Sequence, residues 1–252
     1  WPEEENMVTA PRSSRLAVLI DADNASARIA DGLFSEIAKI GEASVRRIYG
    51  DFSGSRLKSW ADILSKHAIV PQQNFANTVG KNASDIALVI DAMDLLHSGR
   101  FEGFCLVSSD SDFTRLAARI REQGTDVFGF GEQKTPESFR QACHRFFFTE
   151  NLLPEVAAAD PRQISEVKSL QPPSAAIPLL REAVTQTANE DDWANLGAVG
   201  KWLVQRSPDF DQRTYGHAKL IDLVSKTGAF ELNRPDGKDV RIRFKPPTKA
   251  SK

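Results

Sequence analysis

The sequence has little cysteine, little histidine and no long apolar run. Only two cysteines occur among 252 residues, so a disulfide-stapled secreted scaffold is excluded and two free thiols in the cytoplasm are expected. The four histidines share no metal-ligand spacing, which argues against a zinc site. No apolar stretch approaches the ~20 residues that span a bilayer, so no membrane segment is expected. The formal net charge of −2 excludes a uniformly basic surface.

From Leu16 to about Thr149, short apolar runs alternate with amphipathic segments. Six runs are predicted strands: "LAVLI" (16–20), "VRRIYG" (45–50), "AIVPQ" (68–72), "GFCLVS" (103–108), "DVFGFG" (126–131) and "RFFFT" (145–149). The predicted helices between them cover 26–40, 55–67, 84–97, 112–123 and 135–142. Continuous apolar strands that alternate with helices indicate an α/β fold, in which helices cover both faces of a parallel sheet. The ligand sites of such sheets lie at the carboxyl ends of the strands.

Changes in composition divide the chain into segments. We predict a disordered N-terminal segment at 1–14, the α/β domain at 15–150, a proline-rich linker at 151–175, a second small α+β domain at 176–246 and a tail at 247–252. In the second domain, predicted helices at 176–189, 194–206 and 213–226 precede "FELNRPDGKDVRIRF". Its Pro235-Asp236-Gly237 predicts a hairpin turn. Three helices followed by a hairpin are typical of a winged helix.

Carboxylates occur where the pattern predicts strand ends and helix starts. Asp21 ends the first strand in "LIDADN", and Asp110 follows the fourth in "LVSSDSDF", while Asp85 and Asp112 open helices. If the first and fourth strands are neighbours, these acids share one edge of the sheet. Crowded carboxylates repel one another unless a cation neutralises them, and such hard ligands suit Mg²⁺ or Mn²⁺. Taken alone, Asp85 or Asp112 is more readily explained as a residue that caps its helix.

A divalent ion held by carboxylates can activate a water molecule, so the set predicts hydrolysis of a phosphate ester without a covalent intermediate. The stretches "LIDADN", "KNASDIALVIDAMDLL" and "VSSDSDFTRLAARIREQGTDVFGFG" resemble the NYN domain, a branch of the PIN-like ribonucleases. The resemblance covers about 16–150 and implies a metal-dependent ribonuclease fold. The catalytic metal ligands that it implies are Asp21, Asp85, Asp110 and Asp112.

The same resemblance assigns two substrate contacts. Asn24 would bind RNA or orient the site, and Lys81 would lie where a cation could meet the scissile phosphate. Lys81 considered alone is equally well an ordinary loop lysine.

The C-terminal stretches "IPLLREAV" and "LGAVGKWLVQRSPDFDQRTYGHAKLIDLVSKTGAFEL", with the closing basic strand, resemble the OST-HTH or LOTUS domain over about 176–245. Such domains are associated with RNA, here expected to be single-stranded, or with protein partners. Arg241 and Arg243 share one face of the last strand and could neutralise phosphates, or they could be solvated edge residues. Arg213, His217 and Lys219, in the third predicted helix of this domain, are further candidate RNA contacts. Trp193 and Trp202 are predicted core residues.

Two other functions fit parts of this pattern. In a phosphatase of the haloacid dehalogenase type, Asp21 would be the nucleophile and Asp23 the acid, although Asn24-Ala25 replaces the usual Gly-[Thr/Val]. In a non-catalytic RNA-binding adaptor, the acids would bind a metal only for structure. The leading hypothesis is the ribonuclease with an RNA- or partner-binding C-terminal domain.

Overall fold

A computed structural model of the chain describes residues 13–74, 83–154, 170–234 and 239–245. The N-terminal part contains a six-stranded sheet with strand order β3-β2-β1-β4-β5-β6, and every neighbouring pair is parallel. Its strands are β1 (Arg15–Asp21), β2 (Glu42–Gly50), β3 (Val70–Gln73), β4 (Gly103–Val107), β5 (Asp126–Gly131) and β6 (Arg145–Phe148). The predicted parallel α/β sheet is therefore confirmed, and β1 and β4 are neighbours at its centre.

Helices cover both faces of this sheet. They are α1 (Ala30–Ile37) and α2 (Lys58–Ala61) on one face, and α3 (Ala83–His97), α4 (Thr114–Glu122) and α5 (Glu137–Ala142) on the other. Side chains of a strand alternate between faces. Leu16, Val18 and Ile20 of β1 accordingly pack with α1, while Ala17 and Leu19 pack with α3. Burial on both sides explains why the strands are apolar without interruption.

Helix α2 is much shorter than the predicted 55–67. After Ala61 the chain continues in turns, in which the Ile63 N–H donates to the Trp60 carbonyl three residues earlier, at 3.0 Å. An apolar side chain every third residue suits such turns as well as it suits an α-helix, because both place Trp60 and Ile63 against the same core. Periodicity alone therefore overestimated the helix.

The C-terminal part has its own core. It contains α6 (Ile177–Thr187), α7 (Leu196–Arg206) and α8 (Leu220–Thr227), with a sheet of β7 (Ala194–Asn195), β8 (Phe230–Asn233) and β9 (Arg241–Phe244). Both strand pairs, β7–β9 and β8–β9, are antiparallel. Leu180, Leu203 and Leu223 from the three helices meet Ile242 of β9 in this core. The predicted hairpin turn at 235–237 lies outside the described residues.

The predicted helix at 213–226 is two elements. A 3₁₀ turn at Gln212–Tyr215 ends at Gly216, whose φ of +81° is a left-handed conformation that glycine adopts without strain, and α8 begins only at Leu220. The two-residue strand β7 was not predicted, because two residues carry no periodic signal.

The C-terminal part contacts the edge strand β6. The Phe146 N–H donates to the Pro208 carbonyl at 2.8 Å, and Asn151 Nδ2 donates to Thr214 Oγ1 at 3.1 Å. Arg140 and Asp209 form an ion pair across the same contact. Of the predicted linker at 151–175, residues 155–169 lie outside the described part.

A cluster of charges joins the two parts, and we call it the interdomain ion cluster: Glu36, Lys39, Asp211 and Arg213. Arg213 NH1 lies 3.0 Å from Glu36 Oε2, and Arg213 NH2 lies 2.6 Å from Asp211 Oδ2. Lys39 Nζ lies 2.9 Å from the same oxygen of Glu36. Both carboxylates are buried, and each has a cation.

Within the described residues, no helix combines the length and the apolar character that a transmembrane span requires.

Candidate active site

Asp21 is a buried acid at the carboxyl end of the central strand β1. Its side chain accepts three hydrogen bonds: Oδ1 from the Asp23 N–H at 3.1 Å, and Oδ2 from Asn24 Nδ2 at 2.8 Å and from Ser108 Oγ at 2.7 Å. Burial raises the pKa of Asp21, and these hydrogen bonds offset only part of that rise. The chain therefore orients this carboxylate, and none of the ion pairs among the described residues involves it.

Ser108 connects Asp21 to the neighbouring strand end. It follows β4 directly, it is buried, and its Oγ both donates to Asp21 and accepts from the Asp110 N–H at 3.0 Å. This link was not predicted, although a hydroxyl directly behind an apolar strand and two residues before an acid was visible in the sequence. Ser108 thus holds the ends of β1 and β4 in register at the site.

Asp110 has a local role as well. It is the N-cap of the 3₁₀ turn Ser111–Phe113, where its Oδ1 accepts from the Asp112 N–H at 2.9 Å. Capping, the alternative considered for Asp85 and Asp112, is thus carried out here by one oxygen of Asp110, and no hydrogen bond among the described residues uses its Oδ2. Asp112 is exposed at the start of the same turn.

Asp85, in the first turn of α3, gives the clearest sign that the acids converge. Its pKa is raised to about 6, first by burial and then by the negative charges of Asp21, Asp110, Asp23 and Asp112. Because electrostatic effects decline with distance, these carboxylates must lie near Asp85. We call this set the acidic rim: Asp21, Asp23, Asp85, Asp110 and Asp112. Among the described residues, Asp85 has no hydrogen-bond or ion-pair partner of its own.

The acidic rim does not form a complete set of direct metal ligands. Within residues 13–74, 83–154, 170–234 and 239–245, no three acid, histidine or cysteine side chains are arranged to hold an ion directly. Mg²⁺ commonly needs only one or two carboxylates and keeps several of its waters. Oxygen donors that repel one another and raise the pKa of Asp85 suit such a cation. The chemistry of the rim therefore fits a hydrated divalent ion.

The predicted substrate contacts near the rim have different outcomes. The Asn24 side-chain amide donates to Asp21, so it orients the acid, one of its two suggested roles. Lys81 lies outside the described residues. Arg56, in the exposed loop after β2, forms an ion pair with Asp23 and was not predicted. Its only signal was a basic residue near a strand end, which is common in loops.

In the C-terminal part, the two predicted phosphate contacts differ sharply. Arg243 Nε donates to Glu231 Oε2 at 2.6 Å, and its guanidinium lies 4.7 Å from the centre of the Trp193 ring. Its charge is thus already neutralised. Arg241 is exposed and lines a cleft beside Trp193. Trp193 itself is half-buried and lies outside the domain core, contrary to prediction, whereas Trp202 packs against that core.

Two family profiles match successive parts of the chain. The family profile of the NYN domain matches residues 15–152, and that of the OST-HTH/LOTUS domain matches residues 169–242. No curated protein matches significantly.

Two solved structures are similar to parts of the chain. One is a protein of unknown function from Vibrio parahaemolyticus, 16% identical, with a TM-score of 0.47, covering 54% of this chain and 93% of that one. The other is an uncharacterised protein from Nitrosomonas europaea, 34% identical, with a TM-score of 0.27, covering 37% of this chain and 87% of that one.

Proposed function

Because the chain belongs to the NYN family of PIN-like nuclease domains and carries a LOTUS domain of RNA-binding type, we propose that it is a metal-dependent ribonuclease. The substrate would be single-stranded RNA, and the reaction would be hydrolysis of a phosphodiester bond. The two buried free thiols, Cys105 and Cys143, are compatible with the expected cytoplasmic location.

One observation carries this proposal: carboxylates from two other stretches of the chain, 21–23 and 110–112, act on Asp85 at the carboxyl ends of β1 and β4. Open α/β sheets bind their ligands at this edge. A solvated acidic surface would not explain why Asp21 is buried there while the pKa of Asp85 is raised to about 6.

Each residue of the site has a role in the proposal. Asp21, Asp85, Asp110 and Asp112 would hold a hydrated Mg²⁺ or Mn²⁺ ion, partly through its water molecules. When bound, such an ion would neutralise the carboxylates, lower the pKa of a bound water and offset the charge of the phosphate. Ser108 and Asn24 orient Asp21.

Two cations of the chain would act on the substrate. Arg56, held at the rim by Asp23, would contact a phosphate beside the scissile one. Lys81 remains a predicted contact to the scissile phosphate. The C-terminal domain would hold the rest of the RNA, and a protein partner on that domain also remains a prediction.

The test is cleavage of end-labelled single-stranded RNA by the purified chain with Mn²⁺, Mg²⁺ or EDTA. We expect cleavage only with a metal ion, and a loss on the order of a hundredfold or more in Asp21→Asn and in Asp110→Asn. Asp94→Asn is the matched control, because Asp94 is exposed further along α3 and is not among the acids that act on Asp85. It should cleave like the unchanged protein.

Other outcomes would reject the proposal in different ways. Equal cleavage by the unchanged protein and both site variants would assign the activity to a contaminant. Phosphate release from small esters, with an intermediate trapped by beryllofluoride, would support the phosphatase with Asp21 as nucleophile. RNA binding without cleavage under every metal condition would support the adaptor.

A further inference from the structure

A cleft in the C-terminal domain has no part in the proposed cleavage step. It measures about 500 Å³ and is lined by Thr187, Asn189, Trp193, Asn195, Asp239 and Arg241. The end of α6, the strand β7 and the start of β9 meet there. Its volume is within the range of small-molecule sites, and it is large enough for one nucleotide.

The aromatic side of the cleft is fixed before any ligand arrives. The Asn189 side chain accepts from the Trp193 N–H at 2.9 Å, and the backbone of Asn189 donates to the Trp193 carbonyl at 2.9 Å. Asp192, between them, has a φ of +61°, which is strained for a residue other than glycine. Arg243, itself held by Glu231, covers one part of the indole. A half-exposed tryptophan is thus presented on a rigid turn.

The polar side of the cleft offers one acceptor and one cation. Asn195 Nδ2 donates to Asp239 Oδ2 at 3.1 Å, while Asn195 Oδ1 caps α7 through the Gly197 and Ala198 N–H groups. The Asn195 oxygen and one N–H of its amide are therefore engaged, and no hydrogen bond among the described residues uses Asp239 Oδ1, which can accept from a ligand. Arg241 has no hydrogen-bond or ion-pair partner among the described residues.

We propose that this cleft binds one unstacked base of single-stranded RNA together with its phosphate. The base would stack on Trp193 and donate a hydrogen bond to Asp239, while Arg241 would bind the phosphate. A site for phosphate alone would not place a carboxylate in its wall. Asp239 accepts but does not donate, so bases with an amino group are preferred to uracil, whose single N–H lies between two carbonyls.

This inference rests on the proposed RNA function but not on catalysis. Binding is measured in EDTA, by fluorescence anisotropy of the full chain with labelled runs of A, C and U. We expect A and C to bind several-fold more tightly than U. Trp193→Ala should lower the affinity for A about tenfold. Trp193→Phe, which keeps a stacking surface, should retain most of that affinity and guards against a folding defect.

Two surface variants separate base recognition from general charge. Asp239→Asn gains a donor and should bring the A-to-U ratio close to one. Arg241→Ala should weaken binding more than Lys201→Ala, which removes an equal charge from an exposed residue of α7 that does not line the cleft. Equal binding of the three runs, or equal losses in Arg241→Ala and Lys201→Ala, would overturn the inference. Base-selective binding without metal-dependent cleavage would instead reject only the proposed catalysis.

Discussion

Two groups of acids in this protein have opposite electrostatic outcomes. In the interdomain ion cluster, burial acts to raise the pKa of Glu36, but hydrogen bonds from Lys39 and Arg213 outweigh it, and the pKa is lowered. In the acidic rim, burial and neighbouring acids act together on Asp85, and its pKa is raised to about 6. The first group is neutralised by cations of the chain, whereas among the described residues only Asp23 of the second group has an ion pair, with Arg56. Repulsion between carboxylates that the fold does not neutralise therefore indicates the acidic rim as the candidate cation-binding site.

The largest expected effect comes from breaking the completed group. Arg213→Met should destabilise the protein by about 3 kcal/mol, because Asp211 would remain buried without its cation and Glu36 would keep only Lys39. Denaturant unfolding measures this change. Arg206→Met is the matched control: its guanidinium lies 4.0 Å from Glu182 at the exposed surface and should contribute less than about 1 kcal/mol.

A rescue variant identifies the cause of this loss. Adding Glu36→Gln and Asp211→Asn to Arg213→Met should recover part of the stability, because no buried charge would then lack a partner. If the triple variant is less stable than Arg213→Met, the loss came from packing and the comparison fails.

The second prediction concerns the orientation of Asp21. Ser108→Ala removes the hydroxyl that joins Asp21 to the Asp110 backbone, and the cleavage rate should fall about tenfold, as for other residues that orient a metal ligand. Single-turnover cleavage at saturating Mn²⁺ measures it. Ser111→Ala, an exposed neighbour, should retain full activity. Unchanged activity in Ser108→Ala would show that the link is only structural.

The smallest predicted effect is the change of stability with pH, which has opposite signs for Asp85 of the acidic rim and Glu36 of the interdomain ion cluster. The folded pKa of Asp85 lies above its ordinary value of 3.8, so the folded state binds the extra proton and metal-free stability falls as pH rises from about 4 to 6. Glu36 has a lowered pKa, so its contribution is present above about pH 4.5 and is lost on acidification.

Asp85→Asn should therefore stabilise the metal-free protein at pH 7, by on the order of 1 kcal/mol after allowance for solvent screening. Glu36→Gln should destabilise it at the same pH. Unfolding in EDTA at pH 4, 5 and 7 measures both, and Asp94→Asn serves as the control. A loss of stability in Asp85→Asn at pH 7 would contradict the repulsion assigned to the rim.

Sequence patterns predicted the parts of this molecule that depend on local order. All six strands of the large sheet follow from apolar runs, and the acids were predicted from strand ends and helix starts, which are local features. The interdomain ion cluster could not be predicted from local sequence patterns. Arg213 was predicted as an RNA contact, yet it pairs with Glu36, which is 177 residues away in the chain. Ser108 and Arg56 were missed for the same reason, since their roles depend on which segments meet in space.

The bond between Phe146 and Pro208 has a practical consequence for anyone dissecting the protein. A fragment that stops after Leu152 would lose the acceptor for that N–H and uncover the outer side of β6. Exposed sheet borders recruit strands from neighbouring molecules. The excised NYN domain should consequently self-associate more than the full chain, and poor behaviour of this fragment in solution would then reflect an unprotected sheet edge and not a defect at the acidic rim.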